Sequence, residues 1–306
     1  MIKRTLYFGN PAYLSLKLKQ LVIKMPQKND GDLPLGENVV RTIPIEDIGV
    51  VILDNKQITI TQGLLEALLD NNCAVITCDS KRMPTGLLLP LSGNTVQNER
   101  FRAQLEASLP LKKQLWQQTI EAKIRNQAAA LKWATGEEHP NMLKWADSVR
   151  SGDADNMEAR AAVYYWRNLF PGDPLFVREQ DADGVNALLN YGYAILRAIV
   201  ARALVGSGLL PTLGIHHHNR YNAYCLADDI MEPYRPYVDK MVTGFLDKDG
   251  LGEMTQENKV ALLNLPVEEV IIAGRRSPLM IAVSHTCTSL VKCFRGEIRK
   301  IIYPEM

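Results

Sequence analysis

The spacing of apolar residues changes character near residue 90. Before it, apolar and polar positions mostly alternate in short runs. Thr5-Leu6-Tyr7-Phe8 meets the turn residues Gly9-Asn10-Pro11, and Tyr13-Leu14-Ser15-Leu16-Lys17-Leu18 then alternates as a half-buried strand does. Leu21-Val22-Ile23, Val50-Val51-Ile52-Leu53 and Ile58-Thr59-Ile60 are further short β-branched runs, set apart by Gly, Asn and Asp. One helix, 63–69, leads into the apolar strand Ala74-Val75-Ile76-Thr77. A small β-rich unit with one packed helix is expected.

After Pro90, Leu91-Ser92-Gly93-Asn94 reads as a linker, and from about Val96 apolar residues return at three- and four-residue intervals, the helical period. Helices are predicted over 98–108, 111–134, 142–150, 154–169, 185–205, 221–240 and 278–294. Gly206-Ser207-Gly208 stops one of them, and Pro171-Gly172-Asp173-Pro174 follows another. The fold class is therefore α+β: a β-rich, sandwich-like region over 1–90, a linker over 91–97 and a larger, mainly α-helical region over 98–306.

Composition narrows the partners only a little. The 306 residues carry 35 Lys and Arg against 34 Asp and Glu, a net charge of +1, so a nucleic acid would be bound through local patches. The five cysteines, an odd number without a CxxC pair, argue against a disulfide framework or a thiolate zinc site. No signal peptide opens the chain and no apolar run reaches the roughly 18 residues of a membrane span, so a cytoplasmic protein without membrane contact is expected.

Three segments carry candidate chemistry. On the helix over 154–169 one stripe runs Glu158, Ala161, Ala162, Tyr165, Leu169, placing a carboxylate at the head of an apolar face. No Lys or Arg lies three or four residues away, so burial would demand a cation or a proton; a solvated helix edge is the plainer alternative. Gly214-Ile215-His216-His217-His218-Asn219 offers imidazoles, ligands for transition metals, of which at most two can face one site; otherwise it is a polar surface loop. In Asp228-Asp229-Ile230-Met231-Glu232-Pro233-Tyr234-Arg235, acids sit three and four apart. Two carboxylates 4 Å apart repel by roughly 4 kcal/mol at an effective dielectric near 20, and a divalent cation would reverse that. A solvated acidic face softened by Arg235 is the alternative, and Pro233 disfavours regular helix at Glu232. Phosphate loops, GxGxxG, HExxH and GxSxG are all missing, and adjacent Ser284-His285 make a poor nucleophile pair.

Taken together, these segments resemble the CRISPR-associated spacer integrases, the Cas1 family. The resemblance rests on Met157-Glu158-Ala159-Arg160-Ala161-Ala162-Val163-Tyr164-Tyr165-Trp166, on Gly208-Leu209-Leu210-Pro211-Thr212-Leu213-Gly214-Ile215-His216-His217, and on Leu226 through Pro236. The stretches Asp183 to Tyr193 and Leu88 to Asn94 are similar too, and Glu-Pro-Tyr-Arg-Pro with Asn-Arg-Tyr-Asn is most like the type II branch. The resemblance implies a metal-dependent DNA endonuclease and transesterase. Such an enzyme inserts prespacer DNA into the CRISPR array by 3′-hydroxyl attack on a phosphodiester at the repeat edge.

It further implies Mg²⁺ or Mn²⁺ held by Glu158, His217 and Glu232, with Asp229 as an additional acidic site residue. The implied partners are double-stranded DNA, a second copy of the chain joined through the β-rich region, a Cas2 dimer completing a heterohexamer, and type II effector and accessory proteins. Phosphate contacts near the ligands would be Arg160, Arg220 and Arg235. Over 270–306, Arg275, Arg276, Lys292 and Arg295 form either a DNA-facing patch or a solvated tail.

Overall fold

The computed structural model describes residues 3–25, 40–170, 176–179, 183–249 and 253–306; the expected turn at 171–174 lies outside them. The chain divides into two compact units, 1–93 and 94–306, with the break inside the 91–97 stretch.

The first unit holds two four-stranded sheets. One has the order β1 (Arg4–Phe8), β5 (Ile48–Leu53), β7 (Ala74–Cys78), β8 (Pro84–Leu88); the other has β4 (Val40–Pro44), β3 (Gln20–Lys24), β2 (Ala12–Lys17), β6 (Ile58–Ile60). β5 lies between parallel partners β1 and β7, which is why its sequence is apolar on both faces rather than alternating. β2 alternates, with Ala12 and Leu14 inward and Tyr13 outward, and pairs Leu14 with Ile23 and Leu16 with Leu21 across the hairpin. Helix α1 (Gln62–Asp70) sends Leu64 and Leu68 into a core shared with Phe8, Leu14, Leu21, Ile48 and Val51. Sequence periodicity missed β4 and β8. β4 is a mostly exposed edge strand, and β8 starts on a proline, tolerated only at such positions.

The second unit is built around α3 (Leu109–Thr135). Ser108 caps its start, Pro110 lies in its first turn and Gly136, at φ 75°, ends it. At 27 residues it spans roughly 40 Å, and α2 (Gln97–Leu105), α4 (Pro140–Asp147), α5 (Met157–Leu169), α6 (Val185–Gly206), α7 (Cys225–Met231) and α8 (Arg235–Asp249) complete the bundle with α9 (Gln256–Leu262) and α10 (Leu279–Phe294). The single helix expected over 221–240 is broken into α7, a 3₁₀ turn over Glu232–Tyr234 and α8; Pro233 removes the backbone donor an unbroken helix would need. The helix expected from 154 starts at Met157, because Asp153 and Asn156 adopt positive φ.

By length and composition α6 would pass for a membrane span, but Asn186, Asn190, Arg197 and Arg202 interrupt it and 78% of its apolar window is buried inside the structure, as in a core helix. Nor is 270–306 a solvated tail. It forms β9 (Glu269–Ile272) between β10 (Arg275–Pro278) and β11 (Pro304–Glu305), followed by α10, with Ile301 and Tyr303 buried.

Among the α3 side chains that bond the last residues, Gln118, Thr119 and Asn126, the Asn126 amide reaches furthest. Asn126 Nδ2 donates to Pro233 O at 2.7 Å and to Pro304 O at 3.0 Å, while Oδ1 accepts from Met306 N at 3.2 Å. Asn126→Ala strands these buried carbonyls, so it should lower unfolding free energy by about 2–4 kcal/mol in urea titration with an unchanged slope. A loss near zero would contradict the tether.

Candidate metal centre

Asp153 prepares the first turn of α5. Its carboxylate accepts from Met157 N at 2.8 Å and Glu158 N at 3.0 Å, satisfying helix-end donors and fixing where Glu158 starts. The stripe anticipated from Glu158 is confirmed below it, since Ala161, Tyr165 and Leu169 are buried. Glu158 itself is only part-buried, and its partner comes from another helix: Lys123 Nζ donates to Glu158 Oε1 at 2.6 Å.

The same ammonium lies 2.6 Å from Glu232 Oε2, so the two carboxylates flank one cation position. Glu232 is buried in the 3₁₀ turn and takes its second charge partner from Arg235, Nε to Oε1 at 2.8 Å. Burial works to raise the Glu232 carboxyl, but Arg235 and Lys123 overcome it and pull the group down to about 2. Burial likewise works against the Lys123 ammonium, yet Glu232 and Glu158 hold it above its ordinary range.

The histidine loop is positioned from three sides. Gln104 of α2, nearly fully buried, donates to Leu210 O and Leu213 O and accepts from Leu210 N. Trp116 of α3 stacks flat on His216, centroids 4.1 Å apart and planes 2° apart, and meets His217 edge-on at 5.5 Å. Asp229, fully buried, accepts from Ile215 N at 2.7 Å, His216 N at 3.0 Å and His217 N at 3.3 Å, and meets His217 Nδ1 at 2.5 Å. That last bond raises the His217 pKa against partial desolvation of the ring, and in the neutral ring it assigns the proton to Nδ1, leaving Nε2 with the lone pair. Gly214 permits the approach: a Cβ there would stand 2.4 Å from His217 O and 2.7 Å from Asp229 Oδ2.

The acids therefore do not form one cluster, as their helical spacing had suggested. Asp228 pairs with Arg197 at 2.6 and 3.0 Å and with Asn222, Asp229 serves the loop, and Glu232 faces Lys123. Asp229 thus supports the site from behind His217 instead of facing Lys123. Glu158 and Glu232 both act on the charge of the His217 ring, so the three expected ligands share a neighbourhood. Among the described residues, no three His, Cys, Asp or Glu side chains converge tightly enough to enclose an ion. The residues nevertheless fit one. Glu232 Oε2 is buried and accepts no well-directed hydrogen bond, His217 Nε2 meets no hydrogen-bond partner among the described residues, and a cation already stands between the two carboxylates.

Lys123 and Trp116 were not expected from the sequence, although a signal existed. Both lie on the buried side of α3, seven residues apart, and Lys123 has no acid three or four residues away; it is the unpaired complement of Glu158. Of the basic residues expected to touch phosphate, Arg160 is exposed against Trp145 and Arg220 is exposed against Tyr221. Arg275 and Lys292 are exposed, while Arg276 pairs with Glu269 and Arg295 with Glu99 and Glu297. The Arg235 guanidinium is engaged by Glu232 and lies 4.6 Å over Tyr193.

A second buried carboxylate braces the helices that carry the site. Tyr165 of α5 and Tyr193 of α6 both donate to Asp239 of α8. Burial pushes the Asp239 carboxyl up to about 6, with the two hydroxyls and Arg235 acting the other way.

A family model described as CRISPR associated protein Cas1 matches residues 6–268. The CRISPR-associated endonuclease Cas1 of Neisseria meningitidis serogroup C is 38% identical over 291 residues, spanning 94% of this chain and 91% of that one. A casposase bound to integration product superposes with a TM-score of 0.78 at 20% identity, covering 98% of this chain and 92% of that chain. A Cas6-RT-Cas1–Cas2 complex superposes with a TM-score of 0.74 at 18% identity, covering 98% of this chain and 36% of that chain. At these identities the structural likenesses are likenesses of fold.

The raised Asp239 value fixes the sign of a pH effect. The folded state binds this proton more tightly than the unfolded chain, so the group's contribution is full below about pH 4 and is lost as pH rises through about 6. The loss amounts to about 3 kcal/mol, and Asp239→Asn should abolish it. Glu232 acts in a different window, stabilising above about pH 4.5 and losing that contribution as pH falls through about 2. Urea titrations between pH 4 and pH 6.5 that give parallel profiles for wild type and Asp239→Asn would refute the effect.

Proposed function

The chain belongs to the CRISPR-associated Cas1 family, and we propose that it is a metal-dependent integrase that joins prespacer DNA to the CRISPR array. The observation that carries this reading is the placement of Glu158 and Glu232 on either side of a single cation position beside His217. Glu158, Glu232 and Nε2 of His217 would hold Mg²⁺ or Mn²⁺; two carboxylates with an imidazole suit Mn²⁺ better. When bound, the ion supplies Lewis acidity, lowering the pKa of the attacking hydroxyl and neutralising charge at the phosphoryl group.

Each protein group then has a positional task. Asp229 holds the His217 ring in one tautomer and fixes the loop through three backbone amides. Arg235 keeps Glu232 ionised within the interior. The 3′-oxygen of the prespacer forms the new bond to phosphorus, the bond to the repeat strand's own oxygen breaks, and the proton passes from the attacking to the leaving oxygen through solvent. No side-chain nucleophile is required, because the DNA end itself attacks.

Partners follow from the same reading. Double-stranded DNA would be held mainly by backbone charge, with exposed Arg160 and Arg220 as candidate contacts. A homodimer, a bridging Cas2 dimer and a type II setting are proposed from the family resemblance; the Cas1–Cas2 complex supports the second and the Neisseria relative's 38% identity supports the third. A hydrolytic reading of the same centre is favoured by that relative's name, an endonuclease. It differs only in water replacing the DNA hydroxyl.

Product analysis separates the two. Incubated with Cas2, a short duplex and a repeat-bearing plasmid, the protein should join strands in Mn²⁺ or Mg²⁺ and not in chelator. Glu158→Ala and His217→Ala should each reduce joining by about 100-fold or more while leaving the fold intact by circular dichroism. Joining that survives chelation would end the metal reading; shortened strands without joined product would favour hydrolysis.

A further inference from the structure

Lys123 is the feature that the function does not absorb. It sits in the middle of α3, 11% exposed, with its ammonium 2.6 Å from Glu158 Oε1 and 2.6 Å from Glu232 Oε2. No acid lies three or four residues from it on α3, and both of its partners come from elsewhere in the chain. Together with Arg235 the group is electrically neutral: two ammonium or guanidinium cations against two carboxylates. The neutrality explains how two acids can approach within twice a hydrogen-bond length in a largely buried place, where unpaired charges would cost several kcal/mol each.

A divalent ion binds carboxylate oxygens at about 2.0–2.2 Å. An ammonium that already touches both oxygens fills the space such an ion would need. Charge balance points the same way. Adding a divalent ion beside a seated Lys123 would leave the group at +2, whereas exchanging it for the ammonium leaves +1, which one phosphodiester of the substrate neutralises. The flexible four-carbon stem of lysine makes the exchange feasible without moving α3.

Resting on the metal-centre reading above, we propose that Lys123 is an internal counter-cation that occupies the metal seat in the metal-free protein and is expelled when Mn²⁺ or Mg²⁺ binds. The site is thus stable without metal, and its metal affinity is set by competition with the chain's own ammonium. The competition is a population effect: if the Lys-seated state holds nine-tenths or more of the molecules, apparent metal affinity is weakened by about tenfold or more. Lys123 is a positioning residue in this scheme, acting through Glu158 and Glu232.

Calorimetric titration of the full chain with MnCl₂, comparing wild type, Lys123→Met and Glu232→Gln, tests it. Lys123→Met should bind Mn²⁺ at least about tenfold more tightly than wild type, and Glu232→Gln should lose binding. Unchanged or weaker binding by Lys123→Met, with Glu232→Gln still defective, would overturn the exchange while leaving the metal centre standing. Mn²⁺ binding by Glu232→Gln as tight as in wild type would remove the seat itself.

Because Lys123→Met leaves two acids facing each other and can fail to fold, a measurement on wild type runs alongside it. Amine labelling by an N-hydroxysuccinimide ester, read by mass spectrometry, should rise severalfold at Lys123 on Mn²⁺ addition, relative to exposed Lys292. Labelling at Lys123 that does not respond to Mn²⁺ would overturn the proposal.

Discussion

Two carboxylates from distant parts of the chain share one ammonium, and the packing of the helical unit is organised so that they can. Glu158 enters from the first turn of α5, Glu232 from a 3₁₀ turn and Lys123 from the middle of α3. Lys123 and Glu232 are buried and would be costly there unpaired, so their positions depend on each other and on part-buried Glu158 and Arg235. The long central helix acts as a ruler. Trp116 sets the histidine loop, Lys123 seven residues on sets the acids, and Asn126 three further on ties the Glu232–Pro233 turn and the chain end.

Electrostatics extend this arrangement outward in two directions. Behind His217, Asp229 converts a flexible Gly-containing loop into a fixed one by accepting from three consecutive backbone amides, and Gly214 is there because any Cβ would collide with the carboxylate doing so. Behind Glu232, Arg235 reaches over Tyr193, whose hydroxyl joins that of Tyr165 on Asp239. Tyr165 and Glu158 lie on the same face of α5, so the buried acid on α8 and the acid at the centre are held through one helix. Rigid placement of this kind suits a reaction in which the protein mainly positions DNA and an ion.

Much of this was legible in the sequence, for identifiable reasons. The stripe from Glu158 to Leu169 put a carboxylate at the head of an apolar face, where burial would demand a partner, and Pro233 marked the break in the helix at Glu232. Strands with strong alternation or β-branching in the first unit were found; β4 and β8 were not, because edge strands carry weak apolar patterns, and the β9–β11 sheet was not, because its strands are only two to four residues long. The separate fates of Asp228, Asp229 and Glu232 were not readable from spacing, since α7 ends between them and tertiary partners decide where each points. Lys123 was hidden for the same reason: its partners are 35 residues away for Glu158 and farther still for Glu232. Nor could the sequence show that Arg235 packs over Tyr193, a residue of another helix.

The proposed function, metal-assisted DNA strand transfer, turns on where the ion sits. Anomalous diffraction from crystals grown with Mn²⁺ tests it most directly. Manganese density is predicted within coordination distance of Glu158, Glu232 and His217 Nε2, with the Lys123 ammonium turned away from at least one carboxylate. Manganese bound elsewhere, with the Glu158–Lys123–Glu232 bridge still closed, would contradict it.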